Sequence, residues 1–238
     1  GTAGVVNIER ESRLSGKTFD KGLLILEGYL RNQYAVDQPL ALSASLAMEQ
    51  TYGGVDGDSA SAAEVLCLLS AIAAVPLRQE IAITGSINQW GEIQAIGGVN
   101  EKVEGFFDVC QAIGLTGQQG VCLPSANVRH LMLRPDLVEA IGRGQFHIWP
   151  IQHIDDGLTL LTGISAGDIH TEGTLHARVA ARLRDMAVAL RQRPTGAQDK
   201  TPLALEQALP TPADPRPPLP PQSDVPPKHE NASGLGGR

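Results

Sequence analysis

Two residues that stand 43 positions apart, Ser59 and Lys102, carry the clearest chemical potential in this chain. Ser59 lies in YGGVDGDSASAAEVLCLLSAIAAV, residues 52–75, where a glycine-bearing acidic turn runs into an apolar helix. At such a junction the first N–H groups of the helix, with those of Gly57 and Asp58, can converge on one small volume. Donors held in that way stabilise the oxyanion formed when a hydroxyl attacks a peptide carbonyl. Serine is also a common helix cap, so this stretch alone leaves both roles open. A nucleophilic serine needs a base. All six histidines follow residue 129, in segments that read as exposed ends or loops, and no serine sits in a G-x-S-x-G elbow. A Ser-His-Asp triad stays open, because triads are set by geometry and not by order. Lys102 is the other candidate base. In IGGVNEKVEGFFDVCQAIG the residues Val99, Val103, Phe106, Cys110 and Ile113 define an apolar face, Lys102 stands at its flank, and Glu101 and Glu104 point away. Desolvation at such a border disfavours the charged amine, which lowers its pKa and makes it a possible general base. The alternative is a lysine that lays its stem on apolar surface and keeps its charge in water.

The elements that must hold these two residues follow from periodicity and turn chemistry. Residues 21–27 and 40–48 read as strands, with only a short helix between them. From Ser59 to about Val75 nearly every position is apolar or small, which predicts a helix buried all round and ended near Pro76. A strand at 80–84 and a hairpin around Asn88 to Gly91 come next, then a helix from Val99 to Ile113 that carries Lys102. Residues 120–124 form a short buried strand, PDLVEAIGRG a helix, FHIWPI a last strand and IDDGLTLLTG a small helix. This order predicts an α+β fold: a mixed sheet with hairpins, and helices packed on one side. A further helix at 172–193 places Leu175, Val179, Leu183, Met186 and Leu190 in one apolar stripe beside arginines, the mark of a packing or subunit contact and of no chemistry.

Composition removes several function classes. The 238 residues carry a formal net charge of -7 without clustered Lys and Arg, so no nucleic-acid partner is expected. Six histidines and three cysteines show no metal-ligand spacing, and Cys67, Cys110 and Cys122 without a C-x-x-C pair suit reduced structural thiols. There is no apolar run of the roughly 20 residues a membrane span needs and no basic-then-apolar leader, so neither membrane nor export is expected. After residue 194 the text is rich in proline and polar residues, a composition that cannot bury enough apolar surface to fold, so residues 195–238 read as a disordered tail. The chain opens without methionine, as a fragment or processed form would.

DGDSASAAE, followed by Lys102 in GEIQAIGGVNEK, resembles the proteolytic domain of the Lon family of ATP-dependent proteases, and the similarity runs from residue 4 to about 163. Two motifs in order and at the family spacing are far more specific than either alone. The resemblance implies a Ser-Lys dyad with Ser59 as nucleophile and Lys102 as general base. It implies that Thr84, before the T-G step, helps to hold the lysine, that Asp56 supports the site, and that Gly57 and Asp58 shape the oxyanion turn. Asp58 replaces a proline frequent in the best-known members, which fits a Lon-like bacterial branch. The family's opening G-x-V-x-G-L strand is not found, so the first strand segment of the domain at 1–163 is expected to be missing, with 164–194 as an amphipathic helical extension.

By the same resemblance the chain is expected to be a cytoplasmic bacterial serine endopeptidase domain that cleaves unfolded or damaged polypeptides and assembles as a hexameric ring. No cofactor or metal is expected in this chain; ATP and Mg would serve an upstream AAA+ module. SGKT at 15–18 resembles the end of a phosphate-binding loop, but Glu11 stands where the pattern requires its first glycine and a strand is expected to follow, so nucleotide binding is not expected there. Two other functions stay open: a silent ring-forming scaffold, and a small-molecule amidase or esterase with the same dyad.

Overall fold

The computed structural model describes residues 4–36 and 39–192; the tail expected at 195–238 lies outside the described residues. Strand β1, Gly4–Asn7, and helix α1, Ile8–Glu11, open the chain, at positions to which sequence reasoning assigned no element. Helix α2 runs Lys17–Tyr34 and corrects the strand expected at 21–27. Its buried Phe19, Leu23, Leu26, Leu30 and Tyr34 recur at three- and four-residue steps, a period that seven apolar residues read alone cannot show. Tertiary contact also starts this helix: Oδ1 of Asp56 accepts the N–H groups of Thr18 and Phe19, each at 3.1 Å. Gly16, its N-cap, is required there, since a Cβ would stand 2.2 Å from Cγ of Asp56.

Strand β2, Ser43–Leu46, pairs in parallel with β1. Helix α3 spans Ser61–Ala73 and is buried on most sides, although Cys67 and Ala71 reach solvent. Strand β3, Ile81–Ile83, leads into the hairpin of β4, Ser86–Ile87, and β5, Ile93–Gln94. Its turn forms because Asn88 Oδ1 accepts the N–H groups of Trp90 and Glu92, each at 3.0 Å, while Gly91 takes a φ of +87°. Helix α4 occupies Val99–Ile113 and strand β6 Gly120–Pro124, both where the sequence pattern puts them. A 3₁₀ turn at Ser125–His130, helix α5 at Pro135–Gly142, strand β7 at His147–Ile151, helix α6 at Ile154–Thr162 and helix α7 at Leu175–Arg191 complete the described chain.

The class is α+β, with the strands divided among small sheets. The central one is parallel, in the order β3-β6-β7, with Ala82 opposite Val121 and Val121 opposite Ile148. Helices cover both of its faces, which corrects the one-sided packing expected from the order of elements. The alternation of β6 explains this: Cys122 joins a large core with Leu66 and Leu69 of α3, Leu158 of α6 and Val179 of α7, whereas Val121 and Leu123 join a smaller core with Val103 and Phe107 of α4 and Leu137 of α5. Phe107 and Phe146 meet edge-on in that second core, with ring centroids 5.3 Å apart. The stripe on α7 is a packing face, with Leu175, Val179 and Leu183 buried in the larger core.

Candidate active site

Ser59 belongs to the turn that feeds α3, packed in the larger core, and Lys102 to the first turns of α4, packed in the smaller one. The two cores come together at β3. There Lys102 Nζ donates to Ser59 Oγ at 2.8 Å. Ser59 does not cap α3: the N-cap is Ala60, and no side chain caps that end. Among the described residues no histidine hydrogen-bonds the Ser59 hydroxyl. His176 and His153 pair with Asp155 instead, and His147 binds the carbonyl of Gly117.

Several contacts fix the serine turn. Gly85 N–H donates to the Ser59 carbonyl at 2.9 Å, and Ala62 N–H returns a bond to the Gly85 carbonyl at 3.1 Å. Ser61 Oγ accepts the buried Ile87 N–H at 3.1 Å, and Asp58 Oδ2 accepts the Ser86 hydroxyl at 2.9 Å. Thr84 is placed by the continuation of the β3–β6 ladder, where its N–H reaches the Cys122 carbonyl at 3.0 Å. Its hydroxyl donates to the Ser59 carbonyl and accepts from Lys102 Nζ, both at 3.4 Å.

Asp56 and Gly57 lie beside the dyad without forming part of it. Asp56 Oδ1 accepts Gly57 N–H at 2.8 Å in addition to the two N–H groups at the start of α2. Bonds from Gly57, Phe19 and Thr18 hold its carboxyl below the usual range. Gly57 N–H, expected to point with Asp58 at the oxyanion turn, donates to Asp56 Oδ1 in this structure. SGKT does precede a helix and not a strand, and at that helix start the N–H groups of Thr18 and Phe19 are bonded to Asp56 Oδ1.

The dyad borders a cleft of about 250 Å³ walled by Ala60, Ala63, Ala82, Ile83 and Val121. Partial enclosure by this wall lowers the Lys102 pKa, and the nearby Asp58 carboxylate opposes the shift. Lys102 is exposed as a residue, so it is the surroundings of the amine and not deep burial that act. Its own helix face differs from expectation at two places: Phe107 is buried where Phe106 was expected, and Ile113, the last residue of α4, is 81% exposed. Sequence reasoning also missed Ser86 and Ala63. Ser86 directly follows the T-G step, and Ala63 lies one helical turn after Ser59, so both could have been found by extending the motif outward.

Among the described residues no group of three His, Cys, Asp or Glu is arranged to hold a metal ion, and no helix is long and apolar enough to cross a membrane. All three cysteines are free; Cys67 is exposed, and burial pushes the Cys122 thiol up to about 12.

Residues 46–162, which include both Ser59 and Lys102, match the family model of the Lon protease (S16) C-terminal proteolytic domain. The chain is 48% identical over 164 residues to the "Putative Lon protease homolog" of Escherichia coli (strain K12), a match covering 69% of this chain and 28% of that protein. The protein of the same name from Haemophilus influenzae is 43% identical over 183 residues, covering 77% of this chain and 30% of that one. The "Archaeal Lon protease" of Thermococcus kodakarensis is 37% identical over 111 residues, covering 47% of this chain and 16% of that protein. The chain thus spans less than a third of the length of these curated relatives.

Proposed function

Because the chain belongs to the Lon protease family through the proteolytic domain at residues 46–162, we propose that it is a serine-type endopeptidase domain working through Ser59 and Lys102. The observation that carries this reading is the 2.8 Å contact between Lys102 Nζ and Ser59 Oγ at the edge of an apolar cleft. In the neutral form, Lys102 takes the Ser59 proton as Oγ attacks the carbonyl carbon of the substrate. The oxyanion forms near the start of α3, where the helix has no side-chain cap and its dipole favours negative charge. The ammonium then gives its proton to the leaving amine, which releases the first product and leaves an acyl ester on Ser59. Water, deprotonated by the same amine, attacks that ester, and Ser59 recovers its proton as the acid departs. Thr84 steadies the lysine, and Asp56 holds the turn at its α2 anchor.

The substrates are unfolded or damaged polypeptides, the assembly is a hexameric ring, and the parent chain carries an AAA+ module that uses ATP and Mg in a bacterial cytoplasm. These parts rest on family membership. Ser59→Ala and Lys102→Ala are each expected to reduce cleavage of casein and of a fluorogenic peptide by at least about 10³-fold while the fold is kept. Cleavage by the wild-type chain should rise with pH over the neutral to alkaline range, as Lys102 loses its proton. Wild-type cleavage equal to that of Ser59→Ala would return the chain to a scaffold role. Hydrolysis of a short ester without any protein cleavage would favour a small-molecule hydrolase.

A further inference from the structure

Lys102 reaches Ser59 from a helix whose N-terminus has no side-chain cap. Helix α4 starts after two glycines: Gly97, with open space around it, and Gly98, the N-cap, with a φ of +65° and no side-chain cap. Strand β5 ends at Gln94, so residues 95–98 need another support. Asn127 provides it. Its Oδ1 accepts the Ile96 N–H and its Nδ2 donates to the Ile96 carbonyl, both at 2.9 Å, so that one carboxamide completes a ladder rung across 31 positions of sequence. Only 4% of Asn127 is exposed, and it spends one donor and one acceptor of its carboxamide on that one residue.

Two further struts run from the segment after β6 to α4. Asn100 Oδ1 accepts the Met132 N–H at 2.9 Å and its Nδ2 donates to the His130 carbonyl at 3.3 Å, while Glu104 Oε1 accepts the Arg134 N–H at 3.0 Å. Asn100 and Glu104 share one face of α4, and Lys102, two residues from each, projects roughly 200° away from it. The struts therefore brace the rear of the helix that presents the amine.

We infer that Asn127 is a positioning residue for Lys102, fixing the Gly97–Gly98 joint so that the amine meets Ser59 and stays against the apolar wall. A neutral carboxamide is required, because both a donor and an acceptor must face Ile96. Asp offers no donor to the Ile96 carbonyl, and Ala offers neither bond.

The kinetic part rests on the peptidase reading; the titration part does not. In the full chain, Asn127→Ala and the nearly isosteric Asn127→Asp are expected to lower kcat about 10- to 100-fold with little change in KM, since small misplacements of reacting groups cost rates of that order. The rising limb of the pH profile is expected to move to higher pH, because an amine released from the wall regains water. NMR titration of the Lys102 side chain, assigned by loss of its signal in Lys102→Arg, reads the same upward shift without any substrate. Absence of Ser59-dependent cleavage in the wild type would fail the peptidase reading alone. An unmoved Lys102 titration in folded Asn127 variants would overturn the inference, as would activity that falls only with the folded fraction. If neither Asn127 variant folds, Asn100→Ala, which removes a surface strut, is read in the same way. An unmoved Lys102 there would make the brace a folding feature and end the proposal.

Discussion

The two helices that meet at the cleft are anchored by different means. Around α3 backbone and side chains share the support: the Ser59 and Gly85 carbonyls exchange bonds with Gly85 and Ala62, Ile87 N–H reaches Ser61 Oγ, and the Asp56 carboxylate ties the turn to the start of α2. The larger core lies beneath it, closed on the far side by a chain in which Tyr34 Oη meets His176 Nδ1 at 2.5 Å and His176 Nε2 meets Asp155 at 2.9 Å. Burial alone would raise the Asp155 carboxyl, but His176 and His153 outweigh it and hold it below the ordinary range. Around α4 the supports are single side chains and the core is small. Ser59 is thus carried beside the larger core, and Lys102 beside the smaller one.

Removing the centre of each core should separate the layers most sharply. Phe107 and Leu66 are each about 1% exposed, so truncation of either to Ala is expected to cost about 3 to 5 kcal/mol. Leu66→Ala should lower one cooperative transition, because α3 touches the rest of the larger core. Phe107→Ala should loosen α4 and α5 first, seen as fast hydrogen exchange there while amides of α3 and α7 stay protected. Equal loss of protection in both layers after Phe107→Ala would show that they unfold as one and remove the distinction.

A change of pH should act on the α3 layer through one buried carboxyl. Glu64, in the first turn of α3, is buried, its Oε1 has no hydrogen-bond partner, and burial together with the nearby Glu9 raises its pKa from 4.5 to about 7. The folded state therefore holds this proton more tightly than the unfolded state. Its contribution is full below the unfolded pKa, declines as pH rises from about 4.5 to 7, and is lost above that window, a difference of about 3 kcal/mol. Urea midpoints should fall between pH 5 and pH 8 for the wild type and much less for Glu64→Gln; equal slopes for the two would remove Glu64 as the cause. If Lys102 is the base, activity should gain as this amine, whose pKa its partly enclosed position lowers, loses its proton toward alkaline pH, where the Glu64 contribution to stability is already lost.

This asymmetry was only partly legible in the sequence. The α4 range and the buried β6 strand were read at their observed bounds, because each has a full period of apolar residues and a clear stop. Helix α2 was not, since its apolar period emerges over 18 residues and its first turn is completed by Asp56 from far along the chain. The sidedness of the central sheet depended on which core each residue of β6 joins, and five consecutive buried positions carry no mark of that. At Ser59, local chemistry left cap and nucleophile undecided, and at Lys102 base and snorkelling lysine; the paired motifs implied the dyad, and the two groups stand 2.8 Å apart. The rung between Asn127 and Ile96 was invisible, because an asparagine 31 positions away has no local pattern that betrays its partner.

The smallest effect belongs to the residue that touches both layers. Thr84 links the Ser59 carbonyl to the Lys102 amine, but both of its bonds are 3.4 Å long, so each is weak beside the 2.8 Å contact within the dyad. Thr84→Val keeps the buried shape and removes only the hydroxyl. The expected loss in kcat is about 3- to 10-fold, equivalent to roughly 1 kcal/mol, the ordinary net worth of one hydrogen bond. Thr84→Ser keeps the hydroxyl and should keep most of the rate. A loss beyond about 100-fold in Thr84→Val would exceed what a steadying bond supplies. It would mean that Thr84 takes part in moving the proton, and that the base is not the amine alone but an amine coupled to the hydroxyl that follows β3.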